Sequence, residues 1–290
     1  MTVEVDRAET GESPTEQPAG TRGRLVYRQA VFTRLAHWLW AICLFFLLFS
    51  GLQIFNAHPL LYIGEQSGFA FDNSVLGMGA IRGPDGAITG VTEVIGQRFD
   101  TTGVFGVSGD PARPQFQGMP GWLTIPSYRD LATGRVVHFF FAWLLVATLA
   151  VWLVASLFNG HVRRDLAPGV RTWRNLPRDI WDHARFRFRH KRRYSPLQKI
   201  SYAIVLFVLF PLIILTGLAM SPGMNAGWPW LLDVFGGRQT ARTIHFCTML
   251  ALVAFFVVHI VMVLLAGPFN LMRSMITGWY RVDPGEGDGR

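Results

Sequence analysis

The chain has 290 residues, half of them hydrophobic and 13% aromatic, with only 16% charged, where an average soluble domain carries about 25%. That balance argues against a soluble globular enzyme and against a disordered chain, and it suits a polytopic membrane protein with sizeable loops. The formal charge is +8. The two cysteines, Cys43 and Cys247, both lie in apolar runs, so there is no disulfide framework, no cysteine set for an iron–sulfur cluster and no C-x-x-C-H attachment motif. No phosphate-cradling or dinucleotide-binding glycine motif is present.

Residues 1–23 are polar, acidic and rich in Gly, Pro, Thr and Glu. They lack the basic start and apolar run of a cleaved signal peptide, and we expect a disordered tail over about 1–27. A second short tail follows at 283–290. Between them, four segments reach the about 20 apolar residues that a bilayer crossing needs: roughly 31–55, 136–158, 200–220 and 243–266. They must be helices, because lipid offers the backbone no hydrogen-bond partner and no strand-like alternation is seen. Pro211 should kink the third, while Pro59, Pro222 and Pro268 closely follow the ends of the first, third and fourth spans as terminators. The expected fold is an all-α, four-helix membrane bundle with a long outer loop between the first two spans.

The loops set the orientation. Residues 159–197 hold eleven Lys/Arg (Arg163, Arg164, Arg171, Arg174, Arg178, Arg185, Arg187, Arg189, Lys191, Arg192 and Arg193) against three Asp, whereas 56–130 holds four Arg against seven acids. The positive-inside rule puts 159–197 in the cytoplasm. Both termini are then cytoplasmic, and 56–130 and 221–242 face outward. Topology and anionic lipid explain the basic segment better than nucleic acid does. The 75-residue connection 56–130 is too long for an idle loop. It is rich in Gly and turn signals and ends in the apolar stretch Pro120–Pro126. A docking surface or cap on the outer face and a loop lying on lipid both remain open for it.

Four of the eight histidines lie in the spans: His37, His138, His245 and His259. Ionisable groups in a membrane are costly and are functional candidates by default, though a single His near a helix end can simply bond a carbonyl at the interface. His245 and His259 are 14 residues apart. That is about 21 Å along a helix and within about 40° of whole turns, so both face one side. Span directions sort the four by depth into an inner pair, His37 with His259, and an outer pair, His138 with His245. Two imidazoles on facing helices, repeated at two depths, suit axial ligation of haem. Zinc would want further N, S or carboxylate donors at each level, and a transporter would normally need intramembrane carboxylates. The spans contain no Asp or Glu.

Gly51 lies 14 residues after His37, where it would let the outer macrocycle approach; ordinary small-residue helix packing is the alternative. Arg34, Arg135 and Arg242 each precede a candidate ligand by three residues, suited to anionic propionates or to snorkelling at a helix end. Met220, Met249 and Met262 read as packing. His58 sits just beyond the first span, available to the outer surface or an outer quinone site. His161, His183 and His190 fall in the basic segment and read as solvated.

Arg34-Leu35-Ala36-His37-Trp38 and the His245/His259 spacing resemble the dihaem cytochrome b subunits of bacterial formate dehydrogenases, nickel–iron hydrogenases and thiosulfate-reductase-type complexes. Asn56-Ala57-His58-Pro59, Leu131-Ala132-Thr133-Gly134-Arg135, Met220-Ser221-Pro222-Gly223-Met224 and Phe235-Gly236-Gly237-Arg238-Gln239 are similar to a thiosulfate-reductase-like branch found beside molybdopterin oxidoreductases. The resemblance covers about 28–282. It implies two non-covalent b haems, on His37/His259 and His138/His245, in the bacterial inner membrane. Electrons would pass between the quinone pool and a molybdopterin-containing partner docked on the outer face. The long 56–130 connection departs from the shorter loops of the formate dehydrogenase subunits. A haem-free membrane anchor and a proton or metal transporter are the rival readings, and a quinone reaction on this chain stays open.

Overall fold

A computed structural model describes residues 25–110, 112–160, 169–185 and 195–282. Both tails and most of the basic segment, including Arg163, Arg164, Arg187, Arg189, Lys191, Arg192, Arg193, His161, His190 and the His183 side chain, lie outside the described residues. Four helices are long and apolar enough to cross a membrane: α1 (Val31–Phe55), α2 (Leu131–Phe158), the third span Pro196–Met220 and α8 (Arg238–Leu265). Only 11–28% of each apolar window is buried within the protein, so lipid has to cover the rest.

Three of the helices start earlier than the apolar segments suggest, and end-capping supplies the reason. The Asp130 side chain accepts from the Thr133 amide at 3.0 Å, so α2 begins at Leu131. Ser195 and Gln198 form a reciprocal capping box, which starts the third span at Pro196. Gly236 and Gly237, both at positive φ, turn the chain into α8 at Arg238. The kink expected at Pro211 takes a specific form. The third span runs as α4 (Pro196–Ile204), a π-helical turn at Val205–Leu209, and α5 (Phe210–Met220) with Pro211 in its first turn. Widening the turn absorbs the amide that proline lacks.

The expected all-α architecture needs amending between α1 and α2. Residues 56–130 are not a loop: they fold into β-structure. Strands β2 (Leu60–Tyr62), β3 (Ser74–Arg82), β4 (Ile88–Val94) and β5 (Gln97–Asp100) form an antiparallel sheet in that order. Strands β6 (Gly106–Asp110) and β7 (Arg113–Gln117) form a hairpin against it. Glycine permits that contact: Gly106, at φ +76°, lies against the backbone of Gly79 and Gly90, where any side chain would clash. The alternating patterns of these strands are short and interrupted by turns, which hid them beside the spans' apolar runs.

This β-insert is tied to the helix ends. Leu61 and Met119 pack with Leu52 and Phe55 of α1 and with Phe246 and Met249 of α8. Asn56 bonds both the amide and the carbonyl of Met119, Gln53 donates to the Tyr128 carbonyl, and Thr243 donates to the Tyr62 carbonyl. At the opposite end, β1 (Leu25–Tyr27) pairs antiparallel with β8 (Trp279–Arg281). This clasp joins the chain before α1 to the chain after α9 (Pro268–Thr277). Trp38 donates to the Met275 carbonyl and Arg34 to that of Ile276, binding α1 to α9.

Within the bundle, α1 packs along α2 and α5 along α8. Gly134, buried at the α1–α2 crossing, faces Gln53. Between the two helix pairs lies a cavity of about 2110 Å³ that runs most of the length of the bundle.

Candidate functional site

The cavity wall carries all four intramembrane histidines. Across the slot, His138 of α2 faces His245 of α8 with ring centroids 6.5 Å apart and planes at 58°. At the other level, His37 of α1 faces His259 of α8 at 6.4 Å and 57°. The structure therefore brings together the two pairs expected from helix direction, with no shared member.

Midway between the levels stands a packed apolar layer. Leu44 lies seven residues from both His37 and Gly51, and Leu252 seven from both His245 and His259. They join Val205, Phe210, Trp40 and Leu149 in one cluster, with the Trp40 and Phe210 rings meeting edge to face across the slot at 6.1 Å. Phe255 stacks on His259 at 17°. The one cavity passes this layer, whose Trp40, Leu44, Val205, Phe210 and Leu252 also line it, so the two imidazole pairs share a single apolar slot.

This donor set fits haem. A metal–imidazole bond of about 2 Å and a centre-to-nitrogen distance of about 1.1 Å within the ring put the centroids of two axial imidazoles about 6 Å apart. Both pairs have that separation. Among the described residues no group of three or more His, Cys, Asp or Glu gathers anywhere, so neither pair has the further donors that a zinc site requires. The wall is otherwise aromatic and aliphatic, as an apolar macrocycle requires.

The remaining candidates fall in different places. Arg242 lines the cavity beside His245, donates to the His58 carbonyl at 2.5 Å and lies over the Phe55 ring. Arg135 lines it beside His138, its guanidinium 5.7 Å from the Phe139 ring. Arg34 does not border the cavity, its guanidinium being turned to the Ile276 carbonyl on α9; Arg28 and Gln29 line that end instead. Gly51 lies on the wall, and the space its missing Cβ leaves is filled by the His138 ring, 3.2 Å from where a Cβ would stand. His58 stacks on Tyr62 and its Nε2 is 3.2 Å from the phenol oxygen. Burial, and then the nearby Arg242 guanidinium, push its pKa below the ordinary histidine value.

Sequence reasoning missed three residues of the site. Ser50 Oγ lies 3.1 Å from His138 Nδ1. Thr216 Oγ1 lies 3.0 Å from His245 Nδ1. Gly217 faces the His245 ring at 3.4 Å. A signal was available: Ser50-Gly51 and Thr216-Gly217 are hydroxyl–glycine pairs near the same ends of their spans.

Residues 169–278, which hold the third span and α8, match the family model of the prokaryotic cytochrome b561. The chain belongs to the cytochrome b membrane-subunit family: it is a multi-pass bacterial membrane protein that binds haem b and transfers electrons, in a family whose members serve oxidoreductases. It is 32% identical over 143 residues, 49% of this chain and 69% of the relative, to the putative protein-methionine-sulfoxide reductase subunit YedZ1 of Azospira oryzae.

Proposed function

We propose that the chain is a dihaem cytochrome b that carries electrons across the membrane between quinone and a partner oxidoreductase docked on the outer face. The observation that carries this reading is the repeated imidazole pair, His37/His259 and His138/His245, at 6.4 and 6.5 Å across one apolar slot. Bound haem iron supplies one-electron chemistry. The protein's part is to bind and orient. Each histidine pair would offer two neutral nitrogens from opposite walls, the Leu44–Phe210–Leu252 cluster keeps the slot between the levels apolar, and Arg135 and Arg242 would offer guanidinium groups to propionates at the outer level.

The basic loop makes the end bearing β1 and β8 cytoplasmic, so the β-insert is the outer cap. Its exposed apolar side chains, Phe69, Phe71 and Trp122, are of the kind enriched at interfaces. The name of the YedZ1 relative, a reductase subunit, supports a catalytic partner. A molybdopterin enzyme of the exported type is the partner class implied by the sequence resemblance. The reading is tested on the purified chain. Acid–acetone should extract all the haem, at about two per chain, because four imidazoles serve two irons at two each. A ratio of one, or haem that stays on the polypeptide, refutes the dihaem assignment.

A further inference from the structure

His138 and His245 are held in the same way by two different helices. Ser50, on α1, and Thr216, on α5, are fully buried. The Ser50 hydroxyl donates to the Phe46 carbonyl and the Thr216 hydroxyl to the Leu212 carbonyl at 2.7 Å, each four residues back in its own helix. A hydroxyl has one proton, and the helix carbonyl takes it. What the oxygen then offers His138 Nδ1 at 3.1 Å, or His245 Nδ1 at 3.0 Å, is a lone pair. The hydrogen of each neutral ring must therefore sit on Nδ1, which leaves Nε2 with its lone pair free.

The next residue is glycine in both helices. A Cβ at Gly51 would stand 3.2 Å from His138 Cε1, and one at Gly217 would stand 3.4 Å from His245 Cε1. The inner pair lacks this arrangement: His37 Nδ1 is buried with no partner among the described residues.

We propose that Ser50-Gly51 and Thr216-Gly217 are matched imidazole seats, positioning residues that make Nε2 the donor nitrogen of both outer histidines and strengthen it as a donor. This rests on the ligand reading above. A hydrogen bond accepted from Nδ1 raises the basicity of Nε2. A more basic ligand favours ferric over ferrous iron, so these seats hold down the potential of the outer haem and tighten its attachment.

The test is a potentiometric titration of the full-length protein, with each haem followed by its own absorption band. Ser50→Ala and Thr216→Val should each raise the outer midpoint potential and weaken outer haem retention by about tenfold, leaving the inner haem unchanged. Ser50→Thr and Thr216→Ser keep the hydroxyl and should restore wild-type values. Thr216→Val is nearly isosteric and carries the test alone if Ser50→Ala does not fold. His245→Ala separates the two levels of inference. If it leaves the outer haem in place, the ligand reading falls and the seats fall with it. If it removes that haem while Ser50→Ala and Thr216→Val leave potential and retention as in wild type, or shift both haems equally, the seat proposal alone is overturned.

Discussion

At the scale of single residues, the pairing of the four histidines makes the sharpest demand. Each axial nitrogen lost leaves one iron coordination position empty inside an apolar slot. His37→Ala and His259→Ala should therefore give the same spectrum, with the inner haem lost, and His138→Ala and His245→Ala the complementary one. Grouping of His37 with His245 in such a scan would overturn the assignment. His58 adds a pH dependence outside the spans. Its folded pKa lies below its unfolded value of about 6.5 because burial and Arg242 disfavour the imidazolium. The unfolded chain thus binds the proton more readily. The stabilisation from the neutral ring beside Tyr62 is complete above pH about 6.5 and is lost as pH falls through the depressed folded value. Thermal melting of His58→Gln, compared with wild type between pH 5 and 8, should show a flatter acid limb; an unchanged slope would remove His58 as the source.

At the scale of elements, helix ends and crossings depend on small chemical details. Gly134 is the point where α2 meets α1, with Gln53 Cγ only 2.9 Å from where a Cβ would stand. Small residues let membrane helices approach closely, and overfilling such a site costs about 1–3 kcal/mol. Gly134→Leu should lower the melting temperature of the detergent-solubilised protein and shift the outer haem spectrum, since His138 lies one turn further along α2. A wild-type spectrum with unchanged melting would mean that the crossing tolerates separation. The amphipathic helix α3 (Val170–Ala184) has a different role. Trp173, Ile180 and Trp181 are exposed apolar residues beside Arg174 and Arg178. That composition suits a helix lying along an anionic membrane surface rather than crossing it.

At the scale of the whole molecule, the β-insert caps one end of the four-helix bundle, sharing a core with the ends of α1 and α8. Ala70, between Phe69 and Phe71, is exposed on that cap. With Cys247 replaced by Ser, Ala70→Cys should react with an impermeant thiol reagent in intact cells that lack the partner oxidoreductase, and should be protected when it is co-expressed. Reaction only in broken cells would reverse the orientation, and reaction undiminished by the partner would move the docking site off this face. If a partner docks there, a sheet fixed to α1 and α8 presents Phe69, Phe71 and Trp122 already ordered, whereas a flexible 75-residue loop would lose entropy on binding.

The spans, their helical state and the depth of each histidine follow from the sequence alone, because hydropathy, the 1.5 Å rise and the direction of each span are properties of one helix taken by itself. The pairing of His37 with His259 and of His138 with His245 needed only those depths. What only the tertiary structure decided involves groups brought together from separate helices. Ser50 is 88 residues from His138 and Thr216 is 29 from His245, and no spacing within one helix predicts which hydroxyl meets which ring nitrogen. The departure of Arg34 from the cavity has the same origin, since its partner is a carbonyl on α9, 242 residues away. The β-insert was hidden for a related reason. Its strands gain their hydrogen bonds from one another and its core from the ends of α1 and α8, so their stability resides in pairing and not in any local run of residues.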